Sequence, residues 1–157
     1  MIKKSIIKNN LISYKVKELS GMISPPADKS ISHRALLFSA LALGTSALSN
    51  LLRSEDVLNM VKALKALGVK ITKRNNIYYV VGVGLCGFHA PKKYIDCGNS
   101  GTLARILLGA IGGSEILATL VGDTSLSSRP MDRVINPLKK MGIFFDSINN
   151  KLPLIVK

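Results

Sequence analysis

Apolar positions along the chain change their period, and each change marks an element. Val57, Met60, Val61, Leu64 and Leu67 recur at helical spacing, which predicts an amphipathic helix over 55–67. Its start, Ser54-Glu55-Asp56, is acidic and Gly68 stops it, as capping rules ask. Apolar runs at 69–72 and 77–81 flank Lys73 to Asn76 and predict a hairpin. Earlier, Gly21-Met22-Ile23-Ser24 reads as a short strand ended by Pro25-Pro26. A helix from Ser30 follows, runs through the apolar stretch Ala35 to Leu43 and stops at Gly44; Thr45 to Leu52 is extended. Residues 1–20 read as a basic extended segment with strand character over 11–16, and 82–93 as a glycine-containing connection.

The order then starts again. Tyr94 to Cys97 predicts a strand, and Gly98-Asn99-Ser100-Gly101-Thr102 leads into a helix over 103–111. A strand over 115–121 follows. Arg129-Pro130 opens a helix that runs to Met141 and stops at Gly142, and 143–146 pairs with 152–156. The stretch from Met60 to Val69 aligns with Val134 to Ile143, and Lys29-Ser30 falls opposite Asn99-Ser100. A repeat outranks any single motif as a guide to architecture. The prediction is an α/β chain of the α+β type, with a terminal segment (1–20) and two tandem β-α-β-α-β-β repeats (21–93 and 94–157). Pro137 should kink or shorten the last helix, because it removes a backbone donor.

The repeat brings candidate chemistry with it. In Lys29-Ser30-Ile31-Ser32-His33-Arg34, Ser30 is the expected N-cap of the first helix. The unpaired N–H groups and positive dipole of a helix start favour an anion. Lys29 adds a point charge, and Arg34, four residues after Ser30, shares its helix face. At the second helix start, Gly98 and Gly101 allow close backbone approach. Asn99, Ser100 and Thr102 offer neutral polar groups, Arg105 lies one turn inside, and Arg129 precedes Pro130. The two starts outline a cleft for a phosphate or carboxylate. Each motif alone also fits a plain capped turn with solvated basic residues.

Composition narrows the choice of class. With 157 residues, 47% hydrophobic and 5% aromatic, the chain fits a soluble globular protein of one domain or two small ones. Its apolar runs are too short to span a bilayer. No signal or transit peptide pattern is evident in the first residues, which predicts a cytoplasmic location. Cys86 and Cys97 lack metal-site spacing and read as small buried thiols. The net charge of +13 invites a nucleic-acid partner, but the lysines are scattered, aromatics are few and no recognition-helix pattern occurs. Small anionic substrates account for the charge more simply.

Five stretches together resemble one enzyme family, the 3-phosphoshikimate 1-carboxyvinyltransferases. They are D-K-S-I-S-H-R-A-L-L at 28–37, L-L-R-S-E-D-V at 51–57, A-L-G-V at 66–69, D-C-G-N-S-G-T at 96–102 and G-D-T-S-L-S-S-R-P-M at 122–131. They stand in the family's order from about Gly21 onward. The UDP-N-acetylglucosamine carboxyvinyltransferases share the repeat architecture but not the K-S-x-S-x-R and G-N-S-G-T pairing. The resemblance implies transfer of the carboxyvinyl group of phosphoenolpyruvate to the 5-hydroxyl of shikimate 3-phosphate, with no metal or organic cofactor. It implies that Lys29 touches both substrates, that Ser30 and Arg34 hold shikimate 3-phosphate, and that Gly101 and Arg129 bind phosphoenolpyruvate. Asn99, Thr102, Arg105 and Asp56 match positions lining or supporting the cleft; Lys29 and Asp56 are the candidates for a catalytic role. His33 lies inside the motif and reads either as a direct participant or, more simply, as a helix residue facing away.

Family members are more than twice as long, with six repeats in two halves that close on the substrates. The expectation is therefore a chain inactive alone, whether a truncated product, an engineered excerpt or one piece of a split enzyme whose partner is the C-terminal portion. The competing readings are a non-catalytic module for anionic metabolites and, less economically, a nucleic-acid binder. No membrane partner is expected. Uncovered sheet faces would favour self-association.

Overall fold

A computed structural model describes residues 12–157. From Ile12 to Asp28 the chain carries no helix or strand, and the expected strand at 11–16 begins outside the described residues. The elements that follow are α1 (Lys29–Leu41), β1 (Leu43–Leu48), α2 (Glu55–Ala66), β2 (Lys70–Arg74) and β3 (Ile77–Val83). The second set is β4 (Ile95–Asp96), α3 (Gly101–Gly112), β5 (Ala118–Val121), α4 (Thr124–Ser128), α5 (Asp132–Lys140), β6 (Phe145–Ser147) and β7 (Leu154–Val156). A single 3-10 turn, Ile148–Asn150, joins the last two strands.

The first sheet has the order β1-β3-β2, all antiparallel. The second has the order β4-β5-β7-β6, with β4 parallel to β5 and the other pairs antiparallel. The three strands β5-β7-β6 stand to α3 and α5 as β1-β3-β2 stand to α1 and α2. The duplication is thus visible in topology as well as in sequence.

One expected strand is missing from that pattern. Met22 and Ile23 are 98% and 90% exposed, and Gly21 to Ser24 pairs with nothing among the described residues. One bond of the second sheet also has no possible counterpart here. In the second sheet the Cys97 N–H extends the ladder by donating to the Val121 carbonyl (2.9 Å). Pro25 stands at the matching distance before its helix cap and has no N–H to donate.

Helix ends also moved. α1 stops at Leu41, not at Gly44, because Leu43 opens β1 by pairing with Val83. α5 opens at Asp132, not at Arg129-Pro130, because Arg129 is the C-cap of α4, a short helix that had no counterpart in the sequence reading. α5, with Pro137 inside, spans nine residues against twelve for α2.

The core lies between helices and sheets and runs through both sets of elements. Leu36, Met60, Leu64, Leu103, Leu107, Leu108, Ile111 and Leu120 are all buried in one apolar cluster. Burial of such side chains contributes roughly 1.5–3 kcal/mol each. Among the described residues no helix is long and apolar enough to cross a membrane.

Candidate functional site

The N-terminus of α1 is capped by Asp28, whose carboxylate accepts from the Ile31 N–H at 2.6 Å. Ser30 was expected in that role. Both residue types are good caps, and the chain turns into the helix two residues earlier than the motif suggests. The correction matters for chemistry, because it leaves the Ser30 hydroxyl on the first turn rather than folded back as a cap. It also shifts the repeat by two residues, so that Lys29, the residue after its cap, lies opposite Gly101, the residue after Ser100. Ser32, buried beneath, donates to the Asp28 carbonyl (2.7 Å) and accepts from the Leu52 N–H (2.9 Å). This pins the start of α1 to the segment leading into α2.

That segment ends at Ser54, whose hydroxyl caps α2. Asp56, on the first turn of α2, pairs with Lys29: the Nζ to Oδ2 distance is 3.1 Å. An ammonium has three donors, so two remain directed elsewhere.

The start of α3 is the more densely connected. Ser100 caps it by accepting from the Leu103 N–H at 3.3 Å. Arg129 donates through Nη2 to Asn99 Oδ1 (2.7 Å) and to Ser125 Oγ (3.1 Å). Asn99 Nδ2 donates in turn to Asp123 Oδ2 (2.6 Å), and the other Asp123 oxygen caps α4 through the Leu126 N–H (2.7 Å). Arg105 donates to the carbonyls of Gly101 (3.2 Å) and Pro130 (3.1 Å). A methyl group on Gly101 would stand 2.5 Å from Arg105 Nη1 and 3.5 Å from Arg129 Nη1, so the Arg105 guanidinium would have to shift while Arg129 would stay in ordinary contact.

Two titrations are displaced from their ordinary values. The Leu126 N–H and then the Asn99 amide hold Asp123 below the usual carboxylate range, with Arg129 adding to the effect. Asp123 therefore stays a carboxylate at neutral pH. Burial, assisted by the neighbouring Asp96 charge, pushes the Cys97 thiol up to about 12. It is an inert buried group, as its lack of motif spacing implied. Cys86, by contrast, is exposed rather than buried.

His33 is wholly buried and does not face away. Its Nδ1 lies 2.8 Å from the Lys29 carbonyl, and its Nε2 lies 3.4 Å from the Ser100 hydroxyl. The residues named from the sequence thus fall into two groups joined at one point. Asn99, Gly101, Arg105 and Arg129 gather at α3, and Lys29 with Asp56 gathers at α1 and α2. Ser30 is half-buried on the first turn of α1, and Thr102 is half-buried on that of α3. Arg34 is exposed and, among the described residues, forms no ion pair. A cleft of about 570 Å³ is lined by Arg105, Pro130, Asp132 and Arg133. It shares Arg105 with these groups but not Lys29, Ser30, Arg34, Gly101 or Arg129. Among the described residues no cluster of His, Cys, Asp or Glu is placed to hold a metal ion.

The description EPSP synthase (3-phosphoshikimate 1-carboxyvinyltransferase) matches residues 13–157. This chain belongs to the EPSP synthase family. A curated relative from a Sulfurihydrogenibium species, named 3-phosphoshikimate 1-carboxyvinyltransferase, is 46% identical over 145 residues; the alignment takes in 91% of this chain and 34% of the relative. A relative of the same name from Streptococcus suis is 49% identical over 128 residues, or 82% of this chain and 30% of the relative. The solved EPSP synthase from Acinetobacter baumannii superposes with a TM-score of 0.80 at 36% identity, covering 87% of this chain and 32% of that one. The chain spans about a third of the length of the EPSP synthases it matches.

Within this EPSP synthase chain, Asp28, Asp123 and Ser125 were given no role from the sequence, and His33 was expected to face away. Asp28 caps α1, Asp123 caps α4, and His33 links the first turn of α1 to the Ser100 cap of α3. Ser125 steadies Arg129. Asp123 had a usable signal, since Asp before Thr-Ser is a capping pattern.

Proposed function

We propose that this chain supplies one part of the substrate cleft of a 3-phosphoshikimate 1-carboxyvinyltransferase. In that reaction the 5-hydroxyl of shikimate 3-phosphate attacks the vinyl carbon of phosphoenolpyruvate, and phosphate leaves. Lys29 contacts both substrates, Ser30 and Arg34 hold shikimate 3-phosphate, and Gly101 and Arg129 hold phosphoenolpyruvate. Asn99, Thr102, Arg105 and Asp56 line or support the site. The two repeats, 21–93 and 94–157, each present one helix start to it, in a soluble cytoplasmic protein.

The observation that carries this reading is the convergence of cationic groups on the start of α3. There Arg105 donates to the Gly101 carbonyl, and Arg129 donates to Asn99 two residues before it. Guanidiniums suit carboxylates and phosphates because their donors form a planar fork. Both substrates carry such groups.

Proton transfer is the step this chain does not complete alone, with Lys29 and Asp56 its candidates for a part in it. The reaction protonates a vinyl carbon and deprotonates a hydroxyl, and each needs a positioned acid or base. Asp56 is held by Lys29, and Asp123 is kept ionised by its donors. The remaining acids and bases are assigned to sequence equivalent to the other two thirds of the relatives, acting as this chain's partner. Phosphate release measured with both substrates tests this. The chain alone should give no turnover, and addition of the remaining portion of an EPSP synthase should restore it; full turnover alone would sink the division of labour. Calorimetric titration with shikimate 3-phosphate tests the cleft itself. Binding that Arg34→Ala abolishes supports it, whereas graded loss with steep salt dependence would point to a polyanion instead.

A further inference from the structure

Among the described residues, two side-chain hydrogen bonds cross between the first and second sets of elements. One is a long contact, 3.9 Å from the Cys86 thiol to the Gly113 carbonyl at the far end of α3. The other is His33 to Ser100, at the near end. The second sits where the candidate site is divided. His33 lies one turn from Lys29 and next to Arg34, and Ser100 lies between Asn99 and Gly101.

The chemistry of the partners fixes the ring. The Lys29 carbonyl can only accept, so Nδ1 carries the hydrogen; in the neutral ring Nε2 then presents its lone pair. The Ser100 hydroxyl then donates to Nε2, and its oxygen accepts from the Leu103 N–H. His33 and Ser100 are 0% and 1% exposed, so water cannot replace either bond cheaply. One ring therefore ties the first turn of α1 to the N-cap of α3.

We propose that His33 is a positioning residue that sets the spacing between the two helix starts. Through it, the Lys29, Ser30 and Arg34 group and the Asn99, Gly101 and Arg129 group stand in register to receive two anionic substrates side by side. This rests on the substrate reading above, and the test separates the two.

The full chain labelled with ¹⁵N is followed by nuclear magnetic resonance. A long-range nitrogen correlation spectrum should show the Nδ1–H tautomer for His33; an Nε2–H tautomer overturns the proposal whatever the ligand does. In the parent protein, shikimate 3-phosphate should move the amide signals of 29–34 and of 99–105 together. In His33→Leu it should move those of 29–34 only, with an affinity about tenfold weaker, the size of effect expected when contacting residues are uncoupled. His33→Gln, whose amide reaches the Nε2 position, should restore the two-sided response. An unchanged two-sided response in His33→Leu overturns the proposal. A parent protein that does not bind shikimate 3-phosphate counts against the substrate reading instead. The link is then decided by unfolding of His33→Leu, Ser100→Ala and the double variant: non-additive losses support it and additive losses overturn it.

Discussion

Replacing Lys29 by Ala separates an anion-binding role for this residue from a structural one. Its ammonium forms a single ion pair with Asp56, at 3.1 Å, with side-chain exposures of 48% and 23%. Pairs this open to solvent contribute at most about 1 kcal/mol. In a chain of this length that corresponds to a shift of roughly 2–4 °C in the thermal midpoint. A charge-assisted hydrogen bond to a bound phosphate or carboxylate is worth more, roughly 1.5–3 kcal/mol. Converted to affinity, that is a loss of about 10- to 150-fold. Lys29→Ala should therefore melt close to the parent and bind shikimate 3-phosphate far more weakly. Scanning and titration calorimetry read both quantities on one sample. Asp56→Ala is the control: it frees the ammonium without removing it, so affinity should hold or rise. The reasoning is refuted if Lys29→Ala binds within about twofold of the parent, since that is well under the smallest loss calculated. A midpoint lowered by more than about 8 °C refutes it too, because an exposed pair cannot supply that much.

Further expectations follow from the packing and from the displaced titrations. Gly82 lets the end of α1 rest on β3; a methyl group there would lie 2.6 Å from the Ser39 carbonyl oxygen and closer still to that of Ala42. Neither backbone atom can swing aside, so Gly82→Ala should cost about 2–3 kcal/mol in a urea titration, and an unchanged midpoint would contradict the packing. Asp123 titrates below its unfolded value of 3.8, so its contribution is complete above that pH and is lost as pH falls through the lower, folded value. Asp123→Asn should flatten this acid limb, and an identical limb in both proteins would remove the assigned network. Thiol titration at pH 8 should find Cys86 reactive in the native chain and Cys97 only after denaturation. Fast labelling of both would show that Cys97 is not shielded.

What the sequence made legible is local. The apolar period and the caps of α2 placed that helix to within a residue, because Ser54, Glu55 and Gly68 all act within one turn of its ends. The repeat was legible because Met60 to Val69 and Val134 to Ile143 keep the same spacing, and the sheets follow the same order. The failures are also physical. Apolar residues at Gly21 to Ser24 look like a strand, but pairing depends on a partner strand that local pattern does not reveal. α4 has five residues, too few to show a period. Asp28 and Ser30 are both good caps, so chemistry alone did not choose between them. The Ser100 partner of His33 lies 67 positions away, and the Lys29–Asp56 pair spans 27 positions. Arrangements that depend on distant packing leave little trace in local pattern, and these are the ones that assemble the site.

A co-crystal of the chain with shikimate 3-phosphate and phosphoenolpyruvate tests the central claim most directly. The first ligand should lie against Lys29, Ser30 and Arg34, and the second against Gly101 and Arg129, with both anions within hydrogen-bond distance of those donors. Ligands seated instead in the cleft formed by Arg105, Pro130, Asp132 and Arg133, away from both helix starts, would contradict it.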